Sequence, residues 1–115
     1  MLKSKLHRAR VTDVLINYEG SIEIDEDLMD QVGIRTHEQV HVFNINNGHR
    51  FITYAIPGER GGQSISINGA AAHLAKINDR IIIVAYGIMQ LDQENIPPKV
   101  LVLNENNKIV KKKGM

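Results

Sequence analysis

Short apolar–polar alternations recur along this chain, and a turn signal closes each one within about ten residues. Ser21-Ile22-Glu23-Ile24 alternates as a half-buried strand does, and Gln39 to Ile45 continues the pattern through Val40, Val42, Phe43 and Ile45. Asn47-Gly48 then gives the strongest short hairpin signal, which makes Arg50 to Ile56 the return strand. Pro57-Gly58 is expected to break that strand. Ser64 to Asn68 alternates again, Arg80 to Tyr86 is the most apolar segment and is expected to be central, and Lys99 to Leu103 follows the Pro97-Pro98 break. Arg10 to Asn17 reads as one more strand, rich in β-branched residues.

Two segments change period. Asp25 to Val32 places Leu28, Met29 and Val32 on one face and crowds acids into its first turn, so a short helix stopped by Gly33 is expected. Gly69 to Leu74 reads as a short helical turn. Asn104 to Met115 is polar, ends in Lys111-Lys112-Lys113 and is expected to be a loose tail. About seven short strands with two short helices describe a mainly β chain, either a closed barrel or a sandwich. Its 115 residues are expected to form a single domain, 1–115.

Several function classes fall away. There is no Cys, which excludes disulfide scaffolds, thiolate zinc sites and a Cys nucleophile. Lys and Arg total 14 against 13 Asp and Glu, and this near-balance argues against a generic nucleic-acid binder. The longest apolar run, Ile81 to Met89, is far shorter than the roughly 20 residues of a membrane-spanning helix. The basic N-terminus lacks the apolar stretch of a signal peptide, so a cytoplasmic location is expected. His37 and His41 are four apart, but their segment reads as strand, which separates them; no metal site is expected.

Two features keep a functional reading open. Lys3, Lys5 and His7 alternate along the N-terminal strand, which is either a solvated edge protected by charge or a strand that binds carboxylate or phosphate. Gly20-Ser21 lies between two strands. It is either a hairpin turn with glycine at positive φ, or a peptide whose serine hydroxyl attacks the carbonyl before it.

The segments Lys5-Leu6-His7-Arg8, Tyr18-Glu19-Gly20-Ser21, Asn47 to Ile56, Glu59-Arg60-Gly61 and Ile67 to His73 stand in the order and spacing of a known family. Through them the chain resembles the pyruvoyl-dependent L-aspartate 1-decarboxylases over residues 3 to about 90. Asn17 stands where several members carry His. The resemblance implies a double-psi β-barrel, a homotetramer with sites between subunits, and L-aspartate as substrate. It implies self-cleavage into a β-chain, 1–20, and an α-chain, 21–115, with Ser21 becoming a pyruvoyl group. That covalent group replaces PLP and any metal, and its ketone condenses with the substrate amine as a Schiff base. The product is β-alanine, for pantothenate and coenzyme A.

Roles follow by matching positions. Gly20, Ser21, Thr53 and Asn68 match processing positions, and Tyr54 matches the proton donor to Cα. Arg50, Lys5, His7, Thr53, Gly69, Ala70 and Ala71 match substrate-binding positions. The competing reading, from a different class, is a small β-barrel binding module without catalysis.

Overall fold

The computed structural model describes residues 1–94 and 96–115. Among the described residues nine strands follow in order: β1 Leu2–Arg10, β2 Asp13–Leu15, β3 Ser21–Asp25, β4 Gln39–Asn44, β5 Arg50–Gly58, β6 Ile65–Asn68, β7 Arg80–Tyr86, β8 Lys99–Leu103 and β9 Ile109–Lys113. One helix, α1 Glu26–Val32, follows β3, and a 3₁₀ turn, Gly69–Leu74, follows β6.

The strands form one sheet in the order β2-β6-β3-β5-β4-β7-β1-β8-β9. β1 and β2 lie far apart in that order, yet only Val11 and Thr12 separate them in sequence. So short a connection spans roughly 10 Å, so the sheet must curl round until its two regions meet there. Thr12 makes the junction: its N–H donates to the Ile65 carbonyl at 2.8 Å, and its Oγ1 accepts from the Ile65 N–H at 2.9 Å. The interior is filled by one face of each strand, with Leu6, Ile22, Ile24, Val40, Val42, Ile65, Ile67, Ile81, Ile83 and Leu101 fully buried. This is the aliphatic half of the alternation read from the sequence.

Helix α1 starts and stops where its caps dictate. The Asp25 carboxylate accepts from the Asp27 N–H, and Gly33 takes the left-handed conformation at φ 79°. Asp25 also accepts from the N–H groups of Gly61 and Gln63, so one buried carboxylate ties the 59–63 loop to the helix start. Arg60 completes the tie through ion pairs with Glu26, Asp27 and Asp30, which hold its pKa above the ordinary guanidinium value. The Glu59-Arg60-Gly61 motif is therefore a brace for α1.

Four expectations need correction. Arg10 to Asn17 is not one strand: the chain changes partners at Val11, whose N–H donates to Asp79, and resumes as β2. The basic N-terminal strand is not an edge, because β1 pairs with β7 on one side and β8 on the other. β5 runs through Pro57, which pairs with Ile24. The register of β4 on β5 ends at Tyr54, so the missing N–H of Pro57 breaks no ladder on that side.

The expected loose tail, about 104–115, is instead the turn and return strand of a hairpin, β9 on β8. Asn107 holds that turn in the left-handed region at φ 57° and is itself buried. Its amide donates to the carbonyls of Arg10 and Gln63 and accepts from the Arg10 N–H, which pins the hairpin to the barrel.

Candidate active site

The segment between β2 and β3 turns over the end of β6. β2 runs parallel to β6 with Leu15 opposite Asn68, and β3 runs antiparallel to it with Ser21 opposite the same Asn68. β2 and β3 thus flank β6 and do not pair with each other, so Tyr18 to Ser21 is not a hairpin turn. Nor is Gly20 at positive φ, and a Cβ built on it meets nothing within 4 Å. Neither backbone conformation nor crowding accounts for glycine at position 20.

The crowding belongs to Gly69. It sits at φ 76°, and a Cβ there would lie 2.7 Å from both Cα and N of Gly20 and 3.0 Å from the Tyr18 carbonyl oxygen. Backbone atoms cannot swing aside as side chains do. Gly69→Ala is therefore expected to lower stability by about 1–3 kcal/mol and to slow any chemistry at the Gly20–Ser21 peptide at least ~10-fold. Thermal unfolding and the appearance of cut chain on a denaturing gel measure the two effects. Wild-type values for both would contradict the assigned packing.

Ser21 is buried, and its hydroxyl is held from two sides. It donates to the Glu19 carbonyl at 3.3 Å and accepts from Asn68 Nδ2 at 3.0 Å. The Asn68 amide is oriented in turn by Ser66, whose hydroxyl donates to Asn68 Oδ1 at 3.0 Å. With Oδ1 committed to Ser66, the donor end of the amide faces Ser21. Ser66 did not emerge from the sequence; its signal was the spacing Ser66-Ile67-Asn68, which puts both polar residues on one face of a strand.

Tyr54 joins this group through the sheet register. β3 and β5 are parallel with Ile22 opposite Ala55, so Ser21 stands level with Tyr54. Asn68, Ser21 and Tyr54 form a row across three strands, on the face turned away from the core. They line an open cleft of about 400 Å³ together with Tyr18, Glu19 and His37. Tyr54 is 36% exposed, on the outer face of β5.

The other candidates lie elsewhere in the chain. Thr53 precedes Tyr54 and pairs with Val40, on the opposite face of β5. Ala70 and Ala71 continue the 3₁₀ turn after Gly69, exposed and half-buried respectively. Arg50 shares the outer face of β5 with Tyr54 but stands four residues away, about 13 Å along the strand. Its guanidinium lies over the Phe43 ring, 4.5 Å from the centroid. Lys5 and His7 sit on β1, three strands beyond β5 in the sheet. They face the same outer side, since Leu6 between them is buried in the core. Among the described residues, no group of three His, Asp or Glu side chains gathers to hold a metal.

His7 carries an electrostatic signature. Burial first, then the charges of Lys5, Arg8, Lys113 and Arg80, push its pKa below the ordinary imidazole value. Its Nδ1 is buried without a hydrogen-bond partner among the described residues. The folded protein then binds fewer protons than the unfolded chain as pH falls below about 6.5, so His7 contributes stability above that pH and loses it on acidification. His7→Asn is expected to flatten the fall in melting temperature between about pH 6.5 and 5. An unchanged slope would show that His7 titrates alike in both states.

The family model described as Aspartate decarboxylase matches residues 1–110. The aspartate 1-decarboxylase of Thermoanaerobacter pseudethanolicus is 56% identical, over 96% of this chain and 95% of that protein. That of Maricaulis maris is 54% identical over 97% and 93%, and that of Halorhodospira halophila 51% identical over 99% and 91%. Among solved structures, a computationally designed double-psi β-barrel superposes with a TM-score of 0.51 at 15% identity, covering 65% of this chain and 95% of its own. The fold is thus mainly β, of the double-psi β-barrel type. No helix among the described residues is long and apolar enough to cross a membrane. The match of the family model over nearly the whole chain, with close relatives of almost equal length, places this protein in the aspartate decarboxylase family.

Proposed function

We propose that this chain is the precursor of an enzyme that converts L-aspartate to β-alanine and CO2, and that it activates itself by cutting the Gly20–Ser21 peptide. The observation that carries the reading is the Ser21 hydroxyl, held between the Glu19 carbonyl and the Asn68 amide in the cleft that Tyr54 lines. In the first step Ser21 Oγ bonds to the Gly20 carbonyl carbon and the peptide C–N bond breaks, leaving an ester and a free amine at residue 21. Asn68 Nδ2 is the donor at hand for the oxyanion formed on the way. Loss of the Ser21 α-proton then expels the Gly20 carboxylate from Cβ. Water replaces the nitrogen, which leaves as ammonia. Chain 1–20 and chain 21–115 result, the latter beginning with a pyruvoyl group.

The residues present suit that group. A small ketone at a chain end needs a polar donor and little bulk beside it, and Asn68 and Gly69 supply these. The pyruvoyl group supplies the electron sink that release of CO2 from an amino acid requires, without PLP or metal. The chain's own side chains then bind and protonate. Tyr54 delivers the proton to Cα. Gly69, Ala70 and Ala71 let backbone approach the substrate. Arg50, Lys5 and His7 bind and attract its carboxylates, the guanidinium through its planar fork.

Those three side chains lie on the outer sheet face, beyond reach of Ser21 in the same chain. The family resemblance implies a homotetramer, and we propose that in it a neighbouring subunit presents that face to the Ser21 cleft. We place the reaction in the cytoplasm, feeding pantothenate and coenzyme A synthesis. The test is a purified, fully cut sample incubated with L-aspartate. The expected result is β-alanine and CO2 in equal amounts; cut protein that leaves aspartate unchanged would refute the proposal.

A further inference from the structure

We propose that His37 is a positioning residue for Tyr54, fixing the phenol over the Ser21 cleft; this rests on the reading of Tyr54 as the proton donor. The imidazole meets the Tyr54 ring edge-on, with centroids 6.1 Å apart and planes at 64°. Both rings line the cleft that holds Ser21 and Asn68. A tyrosine that is 36% exposed on the outside of a sheet has few neighbours to fix its ring, and an edge-on aromatic partner supplies one.

The backbone places His37 there firmly. Its N–H donates to the Ala55 carbonyl at 2.7 Å, and the Ala55 N–H donates to the Glu38 carbonyl at 3.0 Å. The turn before β4 is thus bonded to the residue next to Tyr54. Glu38 closes the same turn: its carboxylate accepts from the Arg35 N–H at 2.9 Å and pairs with Lys3 at 2.9 Å. His37 itself holds a left-handed conformation at φ 70°, which aims its side chain toward β5 while the neighbouring residues continue into the strand. His, Asn and Asp tolerate that conformation better than other side chains, so Asn replaces the ring without disturbing the turn.

The experiment is a double-mutant cycle on the cut protein. His37→Asn is expected to lower kcat about 2- to 10-fold, with KM and the rate of self-cleavage unchanged. In a Tyr54→Phe background the same substitution is expected to have no further effect, because the two side chains act as one unit. A loss of equal size in both backgrounds, or none in the wild type, would overturn the proposal. The Tyr54 ring resonances give a readout independent of turnover: they should shift in His37→Asn, and unmoved resonances would also overturn it. If the wild-type protein does not consume aspartate, the functional reading fails, and these resonances still decide whether His37 fixes the ring.

Discussion

Ser21→Ala protein is expected to remain one uncut polypeptide and to release no CO2 from L-aspartate above background. The hydroxyl oxygen is the only heavy atom the substitution removes, and the proposed mechanism needs it as the nucleophile. The fold should survive. Ser21 is buried but small, and the loss leaves Asn68 Nδ2 without its acceptor, a cost of about 1–3 kcal/mol. Circular dichroism matching the wild type would show that the barrel still forms. A Ser21→Ala chain that still cuts itself between residues 20 and 21 would end the assignment of Ser21 as nucleophile.

Tyr54→Phe is expected to separate the two chemistries. Tyr54 makes no hydrogen bond to the Ser21 hydroxyl, whose partners are Glu19 and Asn68, so self-cleavage should proceed. Turnover should not. Removing a positioned acid typically costs ~10²–10⁴-fold, and the loss should fall on kcat with KM little changed. The ring stays in place against His37, so packing is conserved. Steady-state rates on fully cut protein measure the effect, and a wild-type kcat would move the proton-donor role to another group.

Much of the fold was legible because the strands are half-buried. Alternation fixed which of Ile22, Ile24, Val40, Val42, Ile65 and Ile67 face inward, and all six are fully buried. The acids crowding the start and the stop at Gly33 placed α1 within a residue, and Asp25, read as part of its first turn, is its N-cap. The tail was misread because its strand is stabilised from outside itself. Lys111 to Lys113 carry no apolar face, and β9 exists because β8 offers a ladder and Asn107 anchors the turn. The same limit applies to Pro57, whose place in β5 depends on where β4 ends.

The site divides along similar lines. Ser21, Tyr54 and Asn68 were named from motif matches, and the sheet register brings them into one row. Ser66 escaped notice, and His37 was weighed only as a metal ligand, because what each does lies in what it touches. Gly20 and Gly69 show the difference well. Both are glycines in the matched motifs, yet only Gly69 is forced by contact and by φ. At Gly20 neither contact nor φ requires glycine. Arg50, Lys5 and His7 were matched to the substrate, and their outward placement is why the proposed site draws on a neighbouring subunit.

The most direct test of self-activation is an intact mass measurement of freshly purified protein under denaturing conditions. Two chains divided between residues 20 and 21 are expected, the larger lighter by one ammonia than a chain beginning with serine. A single uncut mass that persists on warm incubation would contradict it.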